Sequence, residues 1–169
     1  MKEAIAIFNL DPEINILNWT EDPNIFGYVY FHQEYKNSPV NVEVEIYNLS
    51  EGYHGMHIHE KKLNKSNIKS VNCCNELGGH FNPTNDVHGN HVGDLCFNIF
   101  SNEKKAHKKF IDNKISLYKN NFNIINRSLI IHKDRDDMGL KNPKGVINQE
   151  SLKTGNAGAR IACSNIVML

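Results

Sequence analysis

The chain has 169 residues, with 19 Lys plus Arg against 19 Asp plus Glu. That length suits one domain, 1–169, with a proper core, and the balance leaves no electrostatic footprint for nucleic acid or an anionic membrane. No run approaches the roughly 18 apolar residues of a membrane helix.

The opening MKEAIAIFNLDPE has only a short apolar run before acids and proline, so it does not read as a secretory leader. A cytoplasmic location is the expectation. The high Asn, Ile and Lys content points to AT-rich coding, and in a viral chain the expectation becomes host cytoplasm or virion.

Short alternating apolar runs recur along the chain, and long amphipathic helices do not. In order, the predicted strands are 4–8, 26–34, 40–49, 53–60, 93–100, 106–111, 128–132 and 159–167. VNVEVEIY gives the cleanest period of two, with Val40, Val42, Val44 and Ile46 on one face. Turn material such as DPE, KNSP and SEG separates the first four. Eight short strands suggest an all-β antiparallel sandwich or barrel. Two connections, about 61–92 and 133–158, exceed hairpin length, and loops that long are usually functional or disordered.

Two histidine clusters carry the chemistry. In GYHGMHIHE, residues two apart share a strand face, so His57 and His59 point together and His54 points the other way. His57 and His59 are a candidate metal pair, although HxH alone also fits a half-exposed strand with incidental histidines. His54 is expected to hydrogen-bond backbone on its own side. In GGHFNPTNDVHGNHVGD, His80, His88, His91 and Asp94 lie in a loop, and three imidazoles plus a carboxylate suit zinc. His132 closes the strand SLIIH. His32 and His107 are read as surface histidines. If the strands bearing HIH and His132 are neighbours, the two long loops converge on one patch.

Of the four cysteines, none has CxxC spacing, which excludes a zinc ribbon or a thioredoxin motif. Cys73 and Cys74 are adjacent and cannot easily pair with each other; either could reach a distant partner such as Cys163. Cys96 is expected to be a buried strand thiol.

The segments GYHGMHIHE, GGHFNPTNDVHGNHVGDL, LIIHKDRDDMG and KTGNAGARIAC, in this order, resemble the copper/zinc superoxide dismutase family over essentially the whole chain. The resemblance implies an eight-stranded Greek-key β-barrel that converts superoxide to oxygen and hydrogen peroxide. It implies copper on His57, His59, His80 and His132, and zinc on His80, His88, His91 and Asp94, with His80 shared. It further implies Asp136 as the carboxylate linking a copper ligand to a zinc ligand, and a Cys74–Cys163 disulfide. Arg160 would attract the substrate anion, with Thr154 narrowing the channel beside it. Lys133, Arg135, Lys141, Lys144 and Lys153 could add to the steering, opposed by Asp134, Asp137 and Glu150.

The family pattern is altered in places. Only Gly89 and Asn90 separate His88 from His91, and KKLNKSNIKSVNC lengthens the stretch between His59 and Cys74. That stretch belongs to the family's common dimer interface, so the implied homodimer is weakened by the altered 60–73 segment. LKNPKGVINQ extends the second loop, and Gln149 stands where an acid is usual. A copper chaperone is a further implied partner. The competing reading is a catalytically silent relative that handles copper or acts as a decoy; every implied ligand position is filled, which opposes it.

Overall fold

The structure is a computed structural model that describes residues 1–9, 15–66, 68, 73–96, 98–140 and 149–169. Among these are ten strands: β1 (Lys2–Phe8), β2 (Asn18–Thr20), β3 (Phe26–Gln33), β4 (Val40–Tyr47), β5 (Gly52–His59), β6 (Asn98–Asn102), β7 (Lys105–Asp112), β8 (Ser128–His132), β9 (Arg160–Asn165) and β10 (Val167–Met168). Among the described residues, helical structure is limited to a 3-10 turn, Cys73–Leu77, and a four-residue α1, Ser151–Thr154.

The strands form one antiparallel sheet in the order β10-β1-β3-β4-β7-β6-β5-β8-β9-β2. β4 and β5 are consecutive in sequence yet lie apart, because β7 and β6 stand between them. This is Greek-key connectivity. The sheet curls so that its two ends approach. Ile7 N–H on β1 donates to Ser164 Oγ on β9 at 3.0 Å, and Asn9 Nδ2 donates to Thr20 Oγ1 at 2.6 Å.

The expected eight strands become ten because β2 is too short to show a period and the predicted run 159–167 divides into β9 and the two-residue β10. The run predicted at 93–100 becomes a strand only at Asn98. Before it, Gly93 and Asp94 are held in the first long loop by backbone hydrogen bonds to Phe81, Ile58 and His91, so Cys96 lies outside any strand and is only partly buried. The period-two reading of β4 holds: Val40, Val42, Val44 and Ile46 are buried and their neighbours are not.

Most strands bury one face. β5 and β8 bury both, since the two long loops fold back over their outer side. Met56, Ile58, Leu129 and Ile131 fill the main core. On the outer side a smaller apolar cluster collects Leu63, Cys73, Cys74, Leu77, Ile130 and Cys163.

Gly27 on β3 shows how closely the curled sheet packs. Its φ is +142°, and a Cβ there would stand 2.1 Å from the Glu45 carbonyl oxygen and 2.8 Å from Ile46 Cα on β4. No side chain fits without opening the β3–β4 ladder. Gly27→Ala is expected to cost about 3 kcal/mol and to lower the melting temperature by on the order of 10 °C in calorimetry; an unchanged transition would contradict this packing.

Candidate metal centre

The site lies on the outer side of β5 and β8, roofed by the two long loops. β5 pairs with β8, placing His57 opposite Ile130 and His59 opposite Ser128. The first loop is stitched to β5: His59 forms a bridge with His80, Phe81 N–H donates to the Ile58 carbonyl at 2.8 Å, and Ile58 N–H donates to the Gly93 carbonyl at 2.9 Å. This lattice carries His80 and Asp94 to the strand face that bears His57 and His59.

On the other side, β8 and β9 pair Ile131 with Ala162 but His132 with Arg160, so Ile161 is an extra residue on β9. Ile161 and Ala162 both face the main core as a result. Regular alternation would have turned Arg160 inward with Ala162. The bulge re-aims it to the His132 side, a recurrent use of bulges.

Two ligand groups result. His57, His59, His80 and His132 form one, and His80, His88, His91 and Asp94 the other; in each, the candidate ligand atoms lie within 4.8 Å of one another, and every residue is buried. The rings of His57 and His80 are 4.0 Å apart, and those of His80 and His91 5.5 Å.

Hydrogen bonds fix which ring nitrogen faces the centre. A carbonyl only accepts, so the nitrogen that reaches one must carry the proton. His59 Nδ1 donates to the Gly78 carbonyl at 3.0 Å and His132 Nδ1 to the Gly158 carbonyl at 3.2 Å. His57 Nε2 donates to the Asp136 carboxylate at 2.5 Å. The lone pairs are then on His57 Nδ1, His59 Nε2 and His132 Nε2, and these three buried atoms find no hydrogen-bond partner among the described residues. Buried polar atoms are rarely left so. Three orphaned imidazole lone pairs turned to one point fit a transition-metal cation, and an all-imidazole set suits copper.

In the second group, one carboxylate oxygen, Asp94 Oδ1, receives three ring nitrogens: His80 Nδ1 at 2.7 Å, His91 Nδ1 at 3.1 Å and His88 Nδ1 at 3.4 Å. Gly89 N–H and His91 N–H donate to Asp94 Oδ2 and orient it. Three imidazoles and a carboxylate form a zinc-type donor set. His80 Nδ1 turns to Asp94, which leaves Nε2 for the other group.

Asp136 ties the two groups together, with Oδ2 on His57 Nε2 and Oδ1 2.9 Å from His88 Nε2. Its backbone is gripped by Asn98, whose Oδ1 accepts the Asp136 N–H at 2.8 Å and whose Nδ2 donates to the Asp136 carbonyl at 3.0 Å. Gly155 (φ +68°) lets the second loop pass over this pair: a Cβ there would fall 2.0 Å from Asp136 Oδ1.

His54 behaves as its strand face predicts. Its Nδ1 donates to the His132 carbonyl at 2.9 Å, and its Nε2 sits 2.9 Å from the Ser50 carbonyl. It joins β5 to the last residue of β8 through the backbone of His132, a member of the first ligand group.

A cavity of about 330 Å³ opens beside the first group, lined by His59, His80, His132, Lys153, Thr154 and Arg160 among others. Arg160 Nη1 donates to the Cys74 carbonyl and Nη2 to the Gly78 carbonyl, each at 2.8 Å. Among the described residues it makes no ion pair, so its charge stays directed at the cavity. Thr154 Oγ1 donates to Glu150 Oε1 at 2.7 Å. Of the other proposed steering cations, Arg135 lies over the Tyr53 ring, 5.0 Å from its centroid, away from the cavity lining. Lys141 and Lys144 lie outside the described residues.

Sequence reasoning missed Asn98 and Arg127. Arg127 stacks 3.5 Å from the Phe81 ring centroid and donates Nη1 to the Glu60 carbonyl at 2.8 Å, clamping the chain next to both His59 and His80. Neither residue belongs to a readable motif, and the Gly78 and Gly158 carbonyls carry no side-chain signal at all.

The model of the family described as copper/zinc superoxide dismutase (SODC) matches residues 25–166. The chain belongs to the copper/zinc superoxide dismutase family. Superoxide dismutase [Cu-Zn] of Onchocerca volvulus is 38% identical over 150 residues, covering 85% of this chain and 89% of that one. Superoxide dismutase [Cu-Zn] A of Xenopus laevis is 42% identical over 149 residues, with 85% and 89% covered. Among solved structures, the clock protein EA4 superposes with a TM-score of 0.77 at 33% identity, covering 99% of this chain and 94% of that chain.

Family membership makes copper and zinc the cofactors, and the chain is a superoxide dismutase with the family's barrel and the disulfide joining Cys74 to Cys163.

Charge in the centre follows from burial and partners. Burial pulls His80 down to about 4 and His132 to about 3, because an imidazolium there would be dehydrated and would face other imidazoles. Burial also acts against a charged His88, yet hydrogen bonds to Asp136 and Asp94 lift it to about 9. Hydrogen bonds from His80, His88 and His91 to Asp94, and from His57 and His88 to Asp136, overcome burial at both carboxyls and hold them well below the usual carboxylate range.

In the metal-stripped protein, unfolded histidines near 6.5 bind protons that folded His80 and His132 refuse. Stability should therefore fall as pH drops from about 6.5 toward 4. His88 has the opposite sign, and its contribution fades as pH rises from about 6.5 to 9. A melting temperature that peaks near pH 6.5 and declines on both sides is expected in thermal scans of the stripped protein. Asp136→Asn leaves one of the two imidazole N–H groups without its acceptor and is expected to weaken zinc binding by about 10- to 100-fold, measured by chelator competition.

Proposed function

We propose that His57, His59, His80 and His132 hold the copper, that His80, His88, His91 and Asp94 hold the zinc, and that Arg160 receives the superoxide anion. The observation that carries this reading is the convergence of three orphaned lone pairs, on His57, His59 and His132, beside a cavity whose wall includes Arg160.

Two superoxide anions and two protons give one oxygen and one hydrogen peroxide. When bound, the copper supplies the one-electron chemistry by alternate reduction and reoxidation, and the redox-inert zinc supplies fixed positive charge. The remaining work falls to the chain. Arg160 and Lys153 supply the positive charge on the cavity wall that raises the encounter rate of a small anion. The two carbonyls on Arg160 fix its direction without cancelling its charge. Burial shifts its pKa down, but a guanidinium remains protonated. Thr154, anchored to Glu150, narrows the opening so that the anion is selected by size as well as by charge. Asp136 holds the His57 ring so that only Nδ1 is offered, and the Gly78 and Gly158 carbonyls do the same for Nε2 of His59 and His132.

A copper chaperone as donor, a homodimer weakened by the altered 60–73 segment and a cytoplasmic setting belong to the same proposal. Delivery by a partner is supported by the depth of the site, since His57 and His59 are fully buried.

His132→Ala removes a ligand from the proposed copper group and from no other. With copper and zinc quantified, this variant should keep close to one zinc per chain and lose at least about 100-fold of superoxide consumption. Full activity at measured copper content would refute the assignment. A wild-type protein loaded with both metals and consuming no superoxide would instead favour the silent copper-handling reading.

A further inference from the structure

Three sulfurs meet on the outer side of β8 and β9. Cys74 is bonded to Cys163, with Cα atoms 5.8 Å apart. Cys73, one residue earlier in the same 3-10 turn, keeps a free thiol. The Sγ atoms of Cys73, Cys74 and Cys163 all lie within 4.8 Å of one another. They share the small apolar cluster with Leu63, Leu77 and Ile130. The family resemblance leaves Cys73 unassigned.

We propose that Cys73 is the resident partner of an internal thiol–disulfide exchange, so that the protein has two interchangeable connectivities, Cys74–Cys163 and Cys73–Cys163. In this step Cys73 Sγ, as thiolate, attacks Cys163 Sγ. The Cys73–Cys163 bond forms, the Cys74–Cys163 bond breaks, and Cys74 leaves as thiolate to take up the proton that Cys73 released. No net electron is gained or lost, so no outside oxidant or reductant is required.

The geometry favours this exchange over its competitors. A disulfide places its sulfurs about 2.05 Å apart, so bond formation from within 4.8 Å needs a movement of at most about 3 Å. A short turn with about three residues per turn can supply that by a small rotation about its axis. A bond between the adjacent Cys73 and Cys74 would close a strained ring across one peptide unit. Capture by a dissolved thiol reagent is opposed by burial, since Cys73 has no exposed surface. A neighbouring sulfur needs no access path. The same burial pushes the Cys73 thiol up. Its thiolate is therefore scarce near neutral pH, and the exchange is slow there and quickens as pH rises.

The exchange reaches the cavity through Arg160. Both of its carbonyl acceptors, Cys74 and Gly78, belong to this turn or follow directly on it. Rotating the turn to present Cys73 moves the Cys74 carbonyl away from Nη1 and loosens the guanidinium. This consequence rests on the dismutase reading; the sulfur exchange does not.

The test uses the wild-type, metal-loaded, disulfide-intact protein held at pH 6, 7.5 and 9 without reductant. Samples are quenched in acid and unfolded, the free thiols are alkylated below neutral pH, and the label is located by tandem mass spectrometry. Label on Cys74 together with a Cys73–Cys163 linked peptide, in a fraction that grows with pH, is expected. Label confined to Cys73, apart from the unpaired Cys96, at every pH overturns the proposal.

A second arm uses Cys74→Ser. Air oxidation of this variant, folded by circular dichroism, should join Cys73 to Cys163 and leave activity per copper roughly five- to tenfold below wild type. A folded Cys74→Ser chain with both thiols free also overturns the exchange. A linked Cys74→Ser chain with unaltered activity overturns the coupling to Arg160. Failure of the dismutase reading would show separately, as absent activity in a wild-type protein whose sulfurs still exchange.

Discussion

The centre depends on one buried carboxylate. Asp136 accepts from His57 on β5 and from His88 on the first loop, while its own backbone is gripped by Asn98 at the start of β6. Three separate stretches of chain meet on it, and each would otherwise bury a polar group unpaired. In a water-free setting such groups are expensive to leave unsatisfied. The same two bonds decide which nitrogen each ring presents, so the interaction that holds the loops down also sets the tautomers for metal binding.

Placing this centre outside the barrel resolves a conflict between core and site. A curled sheet needs its interior filled with apolar side chains, and Met56, Ile58, Leu129 and Ile131 supply them from the same strands that carry the ligands. The alternation of a strand lets β5 and β8 serve both purposes, one per face. The outer face must then be covered, which is the physical reason for two loops far longer than a hairpin requires. One of them also brings in the half-disulfide at Cys74, whose carbonyl helps to aim Arg160. Apolar cluster, disulfide and the Arg160 guanidinium are thus parts of a single contact between the 3-10 turn and β9.

Much of this was legible because strand periodicity and ligand chemistry both leave marks in sequence. The pair His57 and His59, two apart, could be assigned to one face without coordinates, and His54 to the other. The set His80, His88, His91 and Asp94 could be grouped by composition within one loop. What failed had local causes. Cys96 sits in an apolar run that resembles a strand, yet the preceding segment is held by Phe81 and Ile58, so pairing starts only at Asn98. Asn98 and Arg127 act on backbone far away in sequence, and ordinary polar residues in unremarkable surroundings give no sign of such partners.

The sequence by itself put His57 and His59 on one strand face, by a period of two, and grouped His80, His88, His91 and Asp94 by residue type, while the order of its motifs carried the resemblance to the family and implied the rest of the donor set. Tertiary structure alone decided the convergence. It brought β5 beside β8 across 70 or so intervening positions, and it used the extra residue Ile161 to turn Arg160 outward. It also placed a third sulfur next to a disulfide. Each of these depends on register between segments distant in the chain, and register is set by how the whole sheet curls and closes rather than by any local pattern.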